Sequence, residues 1–242
     1  GSLSRVLAEA ELAGSQDVTL TVDLAFQQTV EAILGERKGA IVALDPKTGV
    51  IHALATYPAF DPGRLLADDA YRAALFEDPA APLLNRTTQA ALPPGSVFKI
   101  VTMAAGLESG LYTIDTTYTC TGAWTGLGPE IVMVDWFRSG HGTLTLHEAL
   151  VHSCNPYFWQ LGLTLNAHDP AYLPTVARQF GLGQQTGLVG GQDVAGQIPD
   201  PAWKVAQSGT WWAGDAVNMA TGQGEMLATP LQMANVLAAV AN

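Results

Sequence analysis

An α+β fold dominated by helices is what this sequence predicts. Three observations predict it: one clear β-hairpin, several stretches with apolar residues at helical spacing, and no internal repeat or interdomain linker. Residues 3–13 (LSRVLAEAELA) are rich in helix formers and stop at Gly14, and Gly1-Ser2 reads as a cloning scar. Val18–Val22 (VTLTV) alternates as a short strand does, and Asp23 can cap a helix running through Phe26, Val30 and Ile33 to Gly35. The hairpin follows: GAIVALD (39–45), a Pro46-Lys47-Thr48-Gly49 turn, then VIHALAT (50–56). Mixed helix is expected around 65–76, and a strong helix from Ser96 to Ser109, introduced by Pro93-Pro94-Gly95 and closed by Gly110. From Leu111 to about Thr143 no period is visible, so that stretch is functional or held by something non-local. Helical spacing returns at 145–152, 156–166, 171–180 and 230–241.

Composition narrows the function. The 242 residues carry 11 Lys+Arg against 22 Asp+Glu, a net charge of −11. That excludes a nucleic-acid binder, which needs clustered cations to displace counterions, and docking on an anionic membrane surface. Hydrophobic residues make up 48% and charged ones 14%, enough to bury a sizeable core. No apolar run reaches the roughly 18 residues a membrane span needs. Two cysteines are too few for a disulfide framework.

The chemistry-bearing candidate is Ser96, which follows Pro-Pro-Gly at a helix start and precedes Lys99 by three residues. On a helix these positions lie about 60° apart, so the hydroxyl and the ammonium share a face. A helix N-terminus also aims the Ser96 amide outward, where it can donate to a developing oxyanion. A base in reach plus a donor at the negative charge is what an activated serine needs. A lone S-x-x-K arises easily by chance, but Ser153-Cys154-Asn155 supplies an S-x-N element between two helices.

The surrounding text carries further matches. LDPKTGVIHALATYPAFDP (44–62), NRTTQAALPPGSVFKIVTMAAGLESG (85–110), SCNPYFWQLG (153–162), FGLGQQTG (180–187), IPDPAWK (198–204) and WWAGDAVNMATGQGEMLATPLQMA (211–234) occur in that order. Together they closely resemble the transpeptidase domain of class B penicillin-binding proteins, nearest to the elongation-type members. The resemblance runs from about Val18 to the end. It implies a penicillin-binding/β-lactamase-like transpeptidase fold, an antiparallel sheet flanked by helices plus a helical subdomain, over 18–242, with residues 1–17 forming an N-terminal helix and scar. It further implies a DD-transpeptidase: Ser96 attacks the D-Ala-D-Ala carbonyl of a stem peptide and expels the terminal D-alanine, and a second stem amine resolves the acyl-enzyme. β-Lactams would acylate the same serine. By resemblance Lys99 is the base, Ser153 relays the proton, Asn155 holds Lys99 and the substrate carbonyl, and Gly222, Gln223 and Gly224 shape the cleft wall. An extracytoplasmic location beside a membrane anchor and a SEDS-type membrane glycosyltransferase partner are implied likewise.

The family also needs a K-[ST]-G strand downstream of G-Q-G. Lys47-Thr48-Gly49 precedes Ser96 in the hairpin turn and reads as a decoy, and Ser208-Gly209-Thr210 is upstream and lacks the lysine. The expectation is therefore a domain short of its last strands, with Lys99 keeping a high pKa for want of a neighbouring cation, and weak acylation. Zinc is a second expectation. Cys120, Asp135, His141 and Cys154 offer two thiolates, a carboxylate and an imidazole, a plausible tetrahedral set, although the spacing C-x14-D-x5-H-x12-C matches no short zinc motif. Resemblance supports it, since some elongation-type members bind structural zinc from this loop and the S-x-N cysteine, with Asp where this chain has Cys120. A Cys120–Cys154 disulfide and two free thiols are the alternatives.

Other patterns fall away. His147 and His152 are i and i+5, not the i and i+4 of H-E-x-x-H; Gly181-Leu182-Gly183 follows a helix, not a strand; and no G-x-S-x-G elbow exists. Two other functional classes share S-x-x-K: a β-lactamase or carboxypeptidase-type hydrolase, which needs a water-activating group, and a non-catalytic penicillin-binding sensor or scaffold.

Overall fold

The structure, a computed structural model, describes residues 19–242, so the expected helix at 3–13 and Val18 lie outside the described residues. Asp23 caps α1 (Leu24–Leu34) by accepting the Phe26 amide, and Gly35 ends it at φ 55°. The hairpin forms as β1 (Gly39–Leu44) and β2 (Ile51–Tyr57), antiparallel, with Gly39 opposite Tyr57. Residues 19–22 are not the expected strand: Thr21 Oγ1 donates to the Ile51 carbonyl and the Asp23 amide to that of His52, which ties the segment to β2 without a ladder. Helix α1 lays Val30 and Leu34 on Ala53 and Ala55, making a small core separate from the main one.

Two short helices, α2 (Pro62–Ala67) and α3 (Asp69–Glu77), start at Asp61 and Asp68, each a side-chain cap. The expected single helix from Ser96 is instead a 3-10 turn, Gly95–Phe98, running into α4 (Lys99–Glu108). The aperiodic stretch resolves into small pairs: β3 (Thr117–Cys120) with β6 (Gly142–Thr145), and β4 (Ala123–Trp124) with β5 (Met133–Val134). Helices α5 (Leu146–Val151), α6 (Asn155–His168), α7 (Tyr172–Gln179), α8 (Pro201–Ala206), α9 (Ala213–Met219) and α10 (Pro230–Ala241) follow.

Helix α6 is the centre of the main core. It buries Tyr157, Phe158, Trp159, Leu161 and Leu165 on several faces, packing against α4, α7 and α9. Gly162 permits this, because a Cβ there would lie 2.5 Å from the Ala220 Cβ just beyond α9. Among the described residues no helix is long and apolar enough to cross a membrane.

Candidate active site

Three segments meet at the end of α6. The first is the Gly95–Phe98 turn. Gly95 turns at φ 61°, and its amide donates to the Gly222 carbonyl at 2.8 Å. This detour tightens the first turn, so the helix begins as 3-10 rather than α. With about three residues per 3-10 turn, Ser96 and Lys99 stack along the axis. Ser96 is exposed, whereas Lys99 is wholly buried at 0%.

The second segment is the α5–α6 junction. A Thr145–Glu148 capping box starts α5, and the chain leaves it through Ser153 at φ 52°, a left-handed conformation costly for a non-glycine residue. That twist turns both Ser153 oxygens toward the lysine. Lys99 Nζ donates to the Ser153 carbonyl at 2.8 Å, to Ser153 Oγ at 3.1 Å and to Asn155 Oδ1 at 2.6 Å. Ser96 Oγ is not among its partners. Burial lowers the Lys99 pKa to about 8, while the charges of Asp135 and Cys154 pull it partly back. This runs against the expectation that it stays high, because burial lowers it without a neighbouring cation among the causes.

The third segment is Thr221–Gly224. Thr102 Oγ1 on α4 donates to the Ala220 carbonyl at 2.9 Å. Gly222 presses so close that a Cβ would lie 2.2 Å from the Gly95 carbonyl oxygen. Ser96, Asn155 and Gln223 share a cavity of about 240 Å³ with Asn218, Thr221, Trp159 and Met133. Trp159 is one of the tryptophans the sequence offers as a cleft lining, whereas sequence reasoning missed Asn218, Thr221 and Met133; Asn218 sits four residues before Gly222, an offset that carries no motif of its own. A larger hollow of about 730 Å³, between Leu20, Ile51 and Leu188, holds none of the chemistry-bearing residues. Lys47-Thr48-Gly49 occupies the β1–β2 turn, where Asp45 Oδ1 accepts the Lys47 and Thr48 amides at 2.8 Å.

Behind the junction lie three of the four expected metal ligands, with His141 outside the close group. One ligand atom each of Cys120, Asp135 and Cys154 lies within 4.8 Å of the others, all three residues buried. His141 joins through Asp135, its Nε2 3.2 Å from Asp135 Oδ2 yet buried with no hydrogen-bond partner. Two sulfurs and a carboxylate together, with an orphaned imidazole nitrogen beside that carboxylate, fit a thiophilic cation. Both cysteines are free thiols rather than a disulfide, and burial pushes the Cys154 thiol up to about 12, so its ionisation calls for a cation. Gly140 lets the loop close over the set, since a Cβ there would meet the Cys120 carbonyl oxygen at 2.4 Å. Asp135 also reaches the chemistry: its Oδ1 accepts the Asn155 amide at 3.3 Å, a link that spacing alone does not reveal.

Fold and site together define a serine and a buried lysine arranged for acyl transfer. The chain belongs to the penicillin binding protein transpeptidase domain family, whose model matches residues 39–242. It is 33% identical over 245 residues to peptidoglycan D,D-transpeptidase MrdA of Escherichia coli K12, covering all of this chain and 38% of that protein. It is 36% identical to peptidoglycan D,D-transpeptidase PbpA of Mycobacterium tuberculosis, covering 93% of this chain and 46% of the relative. Among solved structures, Pseudomonas aeruginosa PBP2 in complex with WCK 5153 superposes at TM-score 0.87 with 31% identity, over 92% of this chain and 49% of that one. Helicobacter pylori PBP2 in its complex with MreC matches at 0.81 and 30%, over 88% and 40%. The chain thus spans less than half the length of each of these relatives.

Proposed function

We propose that this chain provides the catalytic centre of a peptidoglycan DD-transpeptidase of elongation type. The observation that carries the reading is Lys99, wholly buried yet bonded to Ser153 and Asn155 one turn below Ser96. A lysine near pKa 8 is partly neutral at working pH and can take the Ser96 proton as Oγ attacks the carbonyl of D-Ala-D-Ala. The Ser96 amide donates to the oxyanion, and Ser153 Oγ passes the proton to the departing D-alanine. The ester on Ser96 then waits for an amine of a second stem peptide, and β-lactams acylate the same oxygen. Gly222, Gln223 and Gly224 wall the cleft.

Zinc held by Cys120, Asp135, His141 and Cys154 would supply positive charge and cross-link the 120–141 loop to the S-x-N turn. Asp135 then orients Asn155 through its backbone amide. The partners in keeping with this reading are a SEDS-type membrane glycosyltransferase and an MreC-like scaffold, at the extracytoplasmic face of the bacterial membrane. A penicillin incubated with the protein should add its full mass to Ser96 and leave only over hours, and Ser96→Ala should take up none. Release within seconds would favour the hydrolase class instead, a lasting adduct on a protein that joins no stem peptides would favour the sensor or scaffold class, and no adduct at all would overturn the reading of Ser96.

A further inference from the structure

Resting on that proposed acyl transfer, we infer that Asn218 is a specificity-determining residue that reads the peptide backbone of the acyl donor. Val217, Met219 and Ala220 around it are buried, but Asn218 itself is exposed and lines the cavity it shares with Ser96. Its carbonyl is structural, accepting the Thr221 and Gln223 amides at 3.1 and 3.0 Å. Its carboxamide makes no hydrogen bond to any described residue, nor does that of Gln223, which leaves both free for a ligand. Asn155 adds a third carboxamide whose Oδ1 is taken by Lys99 and whose Nδ2 remains to donate. Trp159 and Met133 give the same cavity an apolar side.

The chemistry of this lining selects the ligand. Every residue in it is neutral, so a carboxylate or phosphate would lose its hydration without gaining a cation. A carboxamide both donates and accepts, and a peptide unit offers one N–H and one C=O in return. The cavity therefore takes the neutral amide on the acyl side of the scissile bond, and the terminal D-alanine carboxylate is bound elsewhere. A donor that lacks this amide leaves the Asn218 carboxamide unpaired in a partly dried cleft.

The test uses the full-length protein and two thioester donors: an N-acyl-D-alanyl thioester, and its analogue with the amide replaced by two methylenes. Acylation of Ser96 is followed by mass spectrometry over a range of donor concentrations. Asn218→Ala should weaken acylation by the amide donor roughly tenfold, the order of one neutral hydrogen bond, and change the methylene donor less than twofold. The loss should sit in the half-saturation concentration, as expected for a contact made equally in ground and transition state. Asn218→Asp, which keeps an acceptor but no donor, should fall between. Equal losses on both donors would mean that Asn218 only shapes the cleft, and no loss on the amide donor would remove it from recognition; either overturns the inference. Wild-type protein acylated by neither donor would instead bring down the underlying reading of Ser96, and the inference with it.

Discussion

Titration of Lys99 should set the pH dependence of Ser96 acylation, and the size of the effect follows from its burial. An ammonium cannot accept the serine proton, so the rate tracks the neutral fraction of Lys99 and rises with pH. With a pKa of about 8, that fraction is about 9% at pH 7 and about 91% at pH 9. Acylation should therefore gain about tenfold across this window and level off above pH 9. A lysine at its ordinary value near 10.4 would gain about a hundredfold over the same window and show no plateau. The assay is the second-order rate of labelling by a fluorescent penicillin between pH 6 and 10, at one fixed zinc content. Ser96→Ala serves as the blank, and intrinsic penicillin hydrolysis is subtracted at each pH. A log-linear rise with no plateau by pH 9.5 would refute the argument that burial tunes this lysine, and a flat profile would refute its role as the base.

Three further outcomes are expected. Gly222→Ala forces a φ of 67° on a residue with a Cβ and drives that carbon into the Gly95 carbonyl, so acylation should fall more than tenfold and thermal unfolding should move down by several degrees. Gly162→Ala overpacks the α6–α9 contact and should cost about 1–3 kcal/mol in denaturant titrations; a cost below about 0.5 kcal/mol would show that α9 can shift freely. Metal analysis of protein purified without a His-tag should find close to one zinc per chain, and Cys120→Ser should lower that content along with the melting temperature, whereas well under one zinc in the parent protein would reject the site.

The β1–β2 hairpin could be read from the chain because its signals are local: alternating side chains, and an aspartate that caps its own turn through Oδ1. Ser96, Lys99, Ser153 and Asn155 were legible for a different reason, since S-x-x-K and S-x-N carry their own spacing. The pairing of β3 with β6 was not, because Thr117 meets Thr145 across 28 residues and each strand contributes only four. Helix α9 escaped as well: its start relies on Asp215 reaching back to the Trp212 amide, not on a familiar cap. The 3-10 start before α4 depends on contact with Gly222, more than a hundred residues away. Links of this kind arise only when distant backbones approach, and Asp135 beneath Asn155 is another.

On the proposed reading Lys99 belongs to the core and to the chemistry at once, and this bears on how such a site can change under drug selection. Moving Ser153 or Asn155 to exclude a penicillin would strip acceptors from an ammonium that has no water to turn to. Stranding a buried charge costs several kcal/mol, a large part of what holds a domain together. Heritable resistance in a chain built this way has little room among the partners of the lysine. It should collect on the exposed rim, at positions such as Gln223, where a side chain can be exchanged without unsettling the interior.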